Sequence, residues 1–457
     1  MKKIIITLIC MLPVLGIGQT TTENYVKTTA YQIATETDNV SEDQKIEGIT
    51  YFDGLGRPKQ SIAVKAGGDK QNIVSHTEYD ALGRSSKEYL PYATAPGIPN
   101  PLGFMNSQIL KTEIGNFYNT PKYEDTQNPY SEMVYESSGL NRVFEQAAPG
   151  NSWAISEGHT VKLDYQINLN NEVYYYDVAF SGGDTTLAQL ILNGFYDEGE
   201  LRKNVTKDEN WTSTSGNNHT TEEFTNKLGQ VILKRKYNDS QAHDTYYIYD
   251  DFGNLTFVLS PEASNQIVDT NDNLVTNHQD ILDKLGYQYK YDYRNRLIEK
   301  KIPAKGWEYI VYNKLDQPIL TQDANQRAKT PQKEWFFTKY DAFGRVIYTG
   351  IKRANITRTT FQSIIDNTPD QVQYEERTTD PVTVGGADIY YSQNAVPTTV
   401  DEVLTVNYYD SYVDIGGYMI PDVVYGQEVT DQTQGLPTVS KVRVLNDQND
   451  WITTVTG

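Results

Sequence analysis

One short string recurs along this chain, and a recurring string constrains the fold before anything else in the sequence is weighed. It reads Phe52-Asp53-Gly54-Leu55-Gly56-Arg57, Tyr79-Asp80-Ala81-Leu82-Gly83-Arg84, Tyr249-Asp250-Asp251-Phe252-Gly253-Asn254 and Tyr340-Asp341-Ala342-Phe343-Gly344-Arg345. Weaker copies are Tyr291-Asp292-Tyr293-Arg294-Asn295-Arg296 and Tyr312-Asn313-Lys314-Leu315-Asp316-Gln317. Asn226-Lys227-Leu228-Gly229-Gln230 keeps the centre of the pattern, and Tyr196-Asp197-Glu198-Gly199-Glu200 is one residue shorter. Such a string spells a β-hairpin in which Asp starts a type I turn and Gly, three residues later, takes the left-handed conformation of a bulge. Where Gly is missing, Asn295 and Asp316 stand in its place, and these residue types tolerate positive φ. A glycine needed for conformation can be replaced in this way. The turn residues expected to matter are therefore Asp53, Gly56, Asp80, Gly83, Asp250, Gly253, Asn295, Asp316, Asp341 and Gly344.

Alternating strands flank these turns, as in Thr245-Tyr246-Tyr247-Ile248-Tyr249 before one and Arg345-Val346-Ile347-Tyr348 after another. Each unit is thus strand, turn, strand. Neighbouring glycine-equivalent positions lie 27, 24, 21 and 28 residues apart, too close for the blades of a propeller. The expected fold is all-β: hairpins added side by side into a spiralling antiparallel sheet, a partial shell whose inner face needs covering. The 35 tyrosines suit it, since Tyr favours strands and can bury its ring while wetting its hydroxyl.

Lys2 and Lys3 precede an apolar run from Ile4 to Ile17, and Gly16 and Gly18 prepare a cut before Gln19. This reads as a secretory signal peptide, too short to span a bilayer, and places the chain outside the cell or on its surface. Ile9 before Cys10 is bulkier than the small residue that lipoprotein processing prefers, so lipidation is the lesser reading. Cys10 is the lone cysteine and would leave with the signal, so the mature chain has no disulfide or thiolate metal site. The formal charge of −20 becomes −22 when Lys2 and Lys3 are removed, a field that repels nucleic acid and anionic membranes.

The string resembles the YD repeats of the bacterial Rhs family, shared with the C components of insecticidal toxin complexes and with teneurins. The stretch from Asn24-Tyr25 through Phe52-Asp53-Gly54-Leu55-Gly56-Arg57-Pro58 to Tyr89-Leu90-Pro91-Tyr92 is similar to the uncharacterised region that precedes Rhs repeats in exported bacterial proteins. Gly286 to Leu297 resembles the repeats that follow it. The resemblance implies a sheet wound into a hollow shell around another, often toxic, polypeptide. The self-cleaving Asp-Pro-x-Gly segment of the family core is missing, since Val382-Thr383 follows Asp380-Pro381, and the run Trp451 to Thr456 would need a following strand. The chain therefore reads as the truncated front of such a shell.

The domain order expected is a signal at 1–18, an N-terminal region with two repeats at 19–140, a degenerate β region at 141–220, a repeat array at 221–350 and a C-terminal β region at 351–457. The prolines from Pro91 to Pro101 mark a loop or boundary. The degenerate region is β and reads as a sandwich-like insert. Short helices are expected at Gln279–Leu285 and Thr359–Ile365.

The sequence offers no catalytic centre, cofactor site or metal site. His76, His159, His219, His243 and His278 are scattered without ligand spacing, and no Gly-x-Ser-x-Gly elbow appears. Acid pairs such as Glu222-Glu223 and Asp250-Asp251 are expected by chance among 60 acids. Asp269-Thr270-Asn271-Asp272-Asn273 with Asp280 has oxygen ligands near calcium-loop spacing, but Leu274 stands where such a loop needs glycine, so a polar turn is the better reading. Arg57, Arg84 and Arg345 would pair with a neighbouring Asp or stack on a Tyr ring before binding an external anion. Trp153, Trp211, Trp307, Trp335 and Trp451 fit core packing better than sugar platforms. The function expected is that of a non-enzymatic secreted scaffold, whose partner is downstream Rhs repeats or an enclosed polypeptide. The alternative is a surface protein that binds carbohydrate or mediates adhesion on its tyrosine-rich faces, holding a cell-surface glycan.

Overall fold

The computed structural model describes residues 22–33, 35, 37, 39–94, 102–412, 422–424, 427–430, 432–445 and 450–456. The signal segment and its cut before Gln19, residues 95–101 of the proline-rich run, and Gly457 lie outside the described residues. The fold is β, with the recorded strand pairings antiparallel and 23 strands assigned to one sheet. Among the described residues of 141–220, the strands outside that sheet are Tyr174–Phe180 and Ala188–Phe195, which pair with each other. The chain divides into two compact units, one of residues up to 167 with 202–224 and 235–242, the other of 168–201, 225–234 and 243–457.

The hairpins share one irregularity. Their register slips at the aromatic residue just before the turn: at Phe52, Tyr79 and Tyr135 in the first unit, and at Tyr249, Tyr291, Tyr312, Tyr340 and Tyr409 in the second. An extra residue on one strand forces this slip and sharpens the local twist, so each hairpin bends at the same place.

In the first unit, alternate residues of Lys45–Phe52, Pro58–Ala63 and Ile73–Tyr79 turn Ile49, Tyr51, Ile62 and Val74 into a core with Tyr92. The helix Ser107–Tyr118, which the strand-like sequence around it does not announce, covers that core with Leu110 and Ile114. Asn106 starts it by accepting a hydrogen bond from the backbone N–H of Gln108 at 2.9 Å.

In the second unit, Trp335, Phe337, Ile347, Tyr348, Val403, Val406 and Tyr408 form the largest core, and the segment between strands Val346–Arg353 and Glu402–Tyr409 supplies its cover. That cover includes the helix Arg358–Asn367, which buries Phe361 and Ile365, and the hairpin of Arg377–Val384 with Ala387–Tyr391. A second helix, His278–Leu285, buries Ile281 and Leu282.

Candidate functional site

The turns are held by a repeated set of hydrogen bonds. In each one the first residue's Oδ1 accepts the backbone N–H groups two and four residues on: Leu55 and Arg57 for Asp53, Leu82 and Arg84 for Asp80, Phe252 and Asn254 for Asp250, Phe343 and Arg345 for Asp341. The backbone closes twice around it, with Asp341 N–H on the Arg345 carbonyl and Gly344 N–H on the Asp341 carbonyl, both at 3.0 Å. Residue five of the string holds positive φ, from +77° at Gly56 to +81° at Gly83 and Gly253, with Gly344 at +78°, Asn295 at +57° and Asp316 at +63°.

The second carboxylate oxygen takes the guanidinium. Arg57, Arg84, Arg296 and Arg345 each donate Nε to their own aspartate at 2.7–2.8 Å. Where the sequence has Asn instead of Asp it has Gln instead of Arg: Asn226 Nδ2 donates to Gln230 Oε1 and Asn313 Nδ2 to Gln317 Oε1, both at 2.8 Å. In these two turns the pair changes from ionic to neutral together, while the Asp250 turn keeps its carboxylate and pairs it with an amide, Asn254 Nδ2 donating to Asp250 Oδ2 at 3.0 Å. The backbone N–H of Arg57, which bonds Asp53, is the first cause that holds that carboxyl below the usual range, and Arg84 does the same for Asp80.

Each arginine also reaches forward to the next hairpin. Arg57 lies 4.4 Å above the ring of Tyr79, Arg84 4.6 Å above Tyr135, Arg296 4.8 Å above Tyr312 and Arg345 4.4 Å above Tyr409. The roofed tyrosine reaches back, its hydroxyl donating to the carbonyl of the residue after that arginine: Tyr79 to Pro58, Tyr135 to Ser85, Tyr312 to Leu297 and Tyr409 to Val346, at 2.7–3.1 Å. Tyr291 and Tyr340 make the same bond, to Leu255 and Pro318, each at 2.8 Å. A latch of one hydrogen bond and one cation–π contact is worth on the order of 1–2 kcal/mol per hairpin. A Cβ at Gly83 would meet only Arg57 Nη1 and Cζ, the movable end of a side chain, so it is the φ of +81° that calls for glycine there.

Several turns escape the sequence pattern. Tyr135-Glu136 and Asn141-Arg142 form a longer version, with Glu136 bound to Arg142 Nε and Nη2 at 2.9 and 2.7 Å and Asn141 at φ +59°. Asp410 forms another whose glycine is Gly435, which donates its N–H to Asp410 Oδ1 at 2.7 Å across 25 residues. Arg345 grips the same Asp410 with Nη1 and Nη2 at 2.9 and 2.6 Å and so holds its carboxyl below the usual range. Asn168 takes the aspartate's part opposite Leu201, accepting its N–H at 2.8 Å, so Asp197 in Tyr196–Glu200 does not play it there. The calcium-like run is one more such turn: Asp269 Oδ1 accepts from Asn271 and Asn273, and Asp272 has φ +60°. The common signal in these is an acidic or amide residue before a gap, with Asn, Asp or Gly at its end.

The buried pair Lys339 and Glu375 stands apart from the turns. Lys339 Nζ donates to Glu375 Oε1 and to the Ala395 carbonyl, both at 2.6 Å. Glu375 also accepts from Ser392 Oγ and the N–H groups of Asn394 and Ala395 at 2.7–3.0 Å, so both carboxylate oxygens are occupied. Burial lowers the pKa of Lys339. The tryptophans divide: Trp153 is exposed beside the ring of His159, against the expectation of core packing. Trp335 is fully buried, while Trp211, Trp307 and Trp451 lie under Lys207, Lys290 and Arg443 at 4.4, 4.6 and 5.0 Å. Among the described residues no group of His, Cys, Asp and Glu is placed to hold a metal, and no helix is long and apolar enough to cross a membrane.

A family model described as a domain of unknown function, DUF6443, matches residues 25–167. No curated protein matches the chain. Among solved structures, a chain of the TcdB2-TccC3-TEV crystal structure is similar at 13% identity over 92% of this chain and 18% of that one, with a TM-score of 0.43. A chain of the Photorhabdus luminescens Tc holotoxin pore, carrying a mutated TccC3, is similar at 13% identity over 94% and 18%, with a TM-score of 0.42. The chain thus spans less than a fifth of the length of these relatives.

Proposed function

We propose that this chain is a non-enzymatic, exported structural scaffold, a run of Rhs-type YD hairpins forming part of a shell that presents or encloses another polypeptide. The observation that supports this reading is the latch. Tyr79, Tyr135, Tyr291, Tyr312, Tyr340 and Tyr409 bind a carbonyl of the hairpin before them, and Arg57, Arg84, Arg296 and Arg345 roof the tyrosine of the hairpin after them, so these units are completed by their neighbours. That is how a repeat protein extends a wall without a separate core for each unit. The first residue of each of these turns binds its own backbone and its closing side chain, which is a structural use of its polar atoms. The reading is tested on the full chain by hydrogen exchange: Arg345→Met, which removes the roof over Tyr409, should speed exchange in the strand Glu402–Tyr409 of the following hairpin as well as in its own turn, and an effect confined to the Asp341–Arg345 turn would overturn the wall of neighbour-completed hairpins.

A further inference from the structure

Some latches lack their cation. The turn Asn226–Gln230 ends in Gln230 where the turns at Asp53, Asp80, Asp292 and Asp341 end in arginine, and the next hairpin opens with Tyr249, Asp250 and Gly253. The correspondence with the hairpins around Arg57 is residue for residue. Arg57 stands against Gly83 and over Tyr79, whereas Gln230 Nε2 stands 3.7 Å from a Cβ built on Gly253, and among the described residues no Lys or Arg lies over the Tyr249 ring.

Two further turns lack the arginine, those ending in Asn254 and Gln317; the Gln230 site opens onto a cavity whose walls include Gln230 itself. That cavity is about 310 Å³, near the lower end of the roughly 300–1,000 Å³ usual for ligand sites. Tyr175, Tyr196, Tyr247 and Tyr249 line it together with Asp177, Asp250 and Asp251, and no Lys or Arg is among its walls. The rings of Tyr175 and Tyr196 pack with centroids 4.7 Å apart and planes tilted by 35°. Burial first, and then the carboxylates of Asp177, Glu200 and Asp251, push the Tyr175 hydroxyl above its ordinary pKa. Elsewhere in the same chain this set of groups receives a guanidinium: Arg345 lies over Tyr409 and bonds Asp410 through two nitrogens.

We propose that this cavity is a binding site for an arginine side chain presented by a polypeptide, which would occupy the place that Arg57 and Arg345 fill from within the chain. Its guanidinium would stack on Tyr249 and face Asp250 and Asp251, a desolvated cation–π contact joined to charge-assisted hydrogen bonds. The inference does not depend on whether the chain encloses its partner, since it concerns only what this cavity recognises.

The test uses the full chain with N-acetyl-arginine amide and, as an uncharged analogue of the same shape, N-acetyl-citrulline amide, each titrated by calorimetry and by shifts of tyrosine resonances. The arginine compound should bind saturably and the citrulline compound at least tenfold more weakly. Gln230→Arg supplies the cation internally and should abolish binding, and Asp251→Asn should weaken it about tenfold. Both variants sit at exposed or half-exposed positions, and unchanged melting temperatures would separate loss of the site from loss of the fold. Equal affinity for the two compounds, or undiminished binding by a folded Gln230→Arg variant, would overturn the proposal.

Discussion

The turn at Asp341–Arg345 and the turn at Asn313–Gln317 have the same backbone and opposite electrostatics. Both first residues accept the N–H groups two and four residues on, and both fifth-position residues hold positive φ, at +78° for Gly344 and +63° for Asp316. One is sealed by a carboxylate and a guanidinium, the other by two amides. Charge is therefore dispensable for bending the chain. What it adds is reach, since Arg345 goes on to roof Tyr409 and grip Asp410, while Gln317 does neither.

The largest effect lies two residues before the Asp341 turn, where charge is buried instead of displayed. Lys339→Met leaves Glu375 inside the protein without its cation and should cost about 3–5 kcal/mol in urea unfolding. Arg345→Met, which exposes its partners to water, should cost well under half of that. Similar losses from the two would erase the distinction between the buried pair and the turn row.

Removing the first residue of each turn comes next. Asp341→Ala strips an ionised acceptor from two N–H groups and from Arg345, at about 2–3 kcal/mol, whereas Asn313→Ala strips a neutral one, at about 1–1.5 kcal/mol. Chemical denaturation of both variants should preserve this order. The reverse order would mean that the guanidinium adds nothing to the ionic turn.

At the fifth position the two turns already interchange glycine and aspartate. Gly344→Asn should therefore be tolerated, and Gly344→Val should cost on the order of 1 kcal/mol more, because a β-branched residue resists positive φ. Indistinguishable melting temperatures would rule out conformation as the reason for glycine here.

The smallest effect separates the turns by pH. Arg345 depresses the Asp410 pKa, so the folded protein binds this proton less readily than the unfolded chain. The resulting stability is present above the ordinary value near 3.8 and fades as pH falls below it toward the folded value. Because the pair is partly exposed, its share should stay below about 1 kcal/mol. Asp410→Asn should flatten the acid limb of a stability curve by that amount, while Asn313→Ala leaves the limb's shape unchanged.

Much of this architecture is local and so can be read along the chain. Five successive residues contain everything the Asp80 turn needs: the acceptor, the two N–H groups it binds, the left-handed residue and the arginine. Period-two strands and the amphipathic stretches that became the helices His278–Leu285 and Arg358–Asn367 are equally short-range. The helix Ser107–Tyr118 is harder to see, because its apolar face is justified by a core made of Ile49, Tyr51 and Val74, far from it in sequence.

The sequence by itself thus determined the β class, the turn chemistry and the recurrence of the unit, for these depend on neighbours within a few residues. Tertiary structure alone decided which turns close over long gaps, as Asp410 does with Gly435, and which lone charges find each other, as Lys339 does with Glu375 across 36 residues. It also decided that each arginine serves the following hairpin and that Gln230 leaves one tyrosine unroofed. The reason is physical: a hydrogen bond between near neighbours is selected by backbone geometry that the residue types prescribe, whereas a contact between distant residues exists only after the sheet has brought their strands side by side.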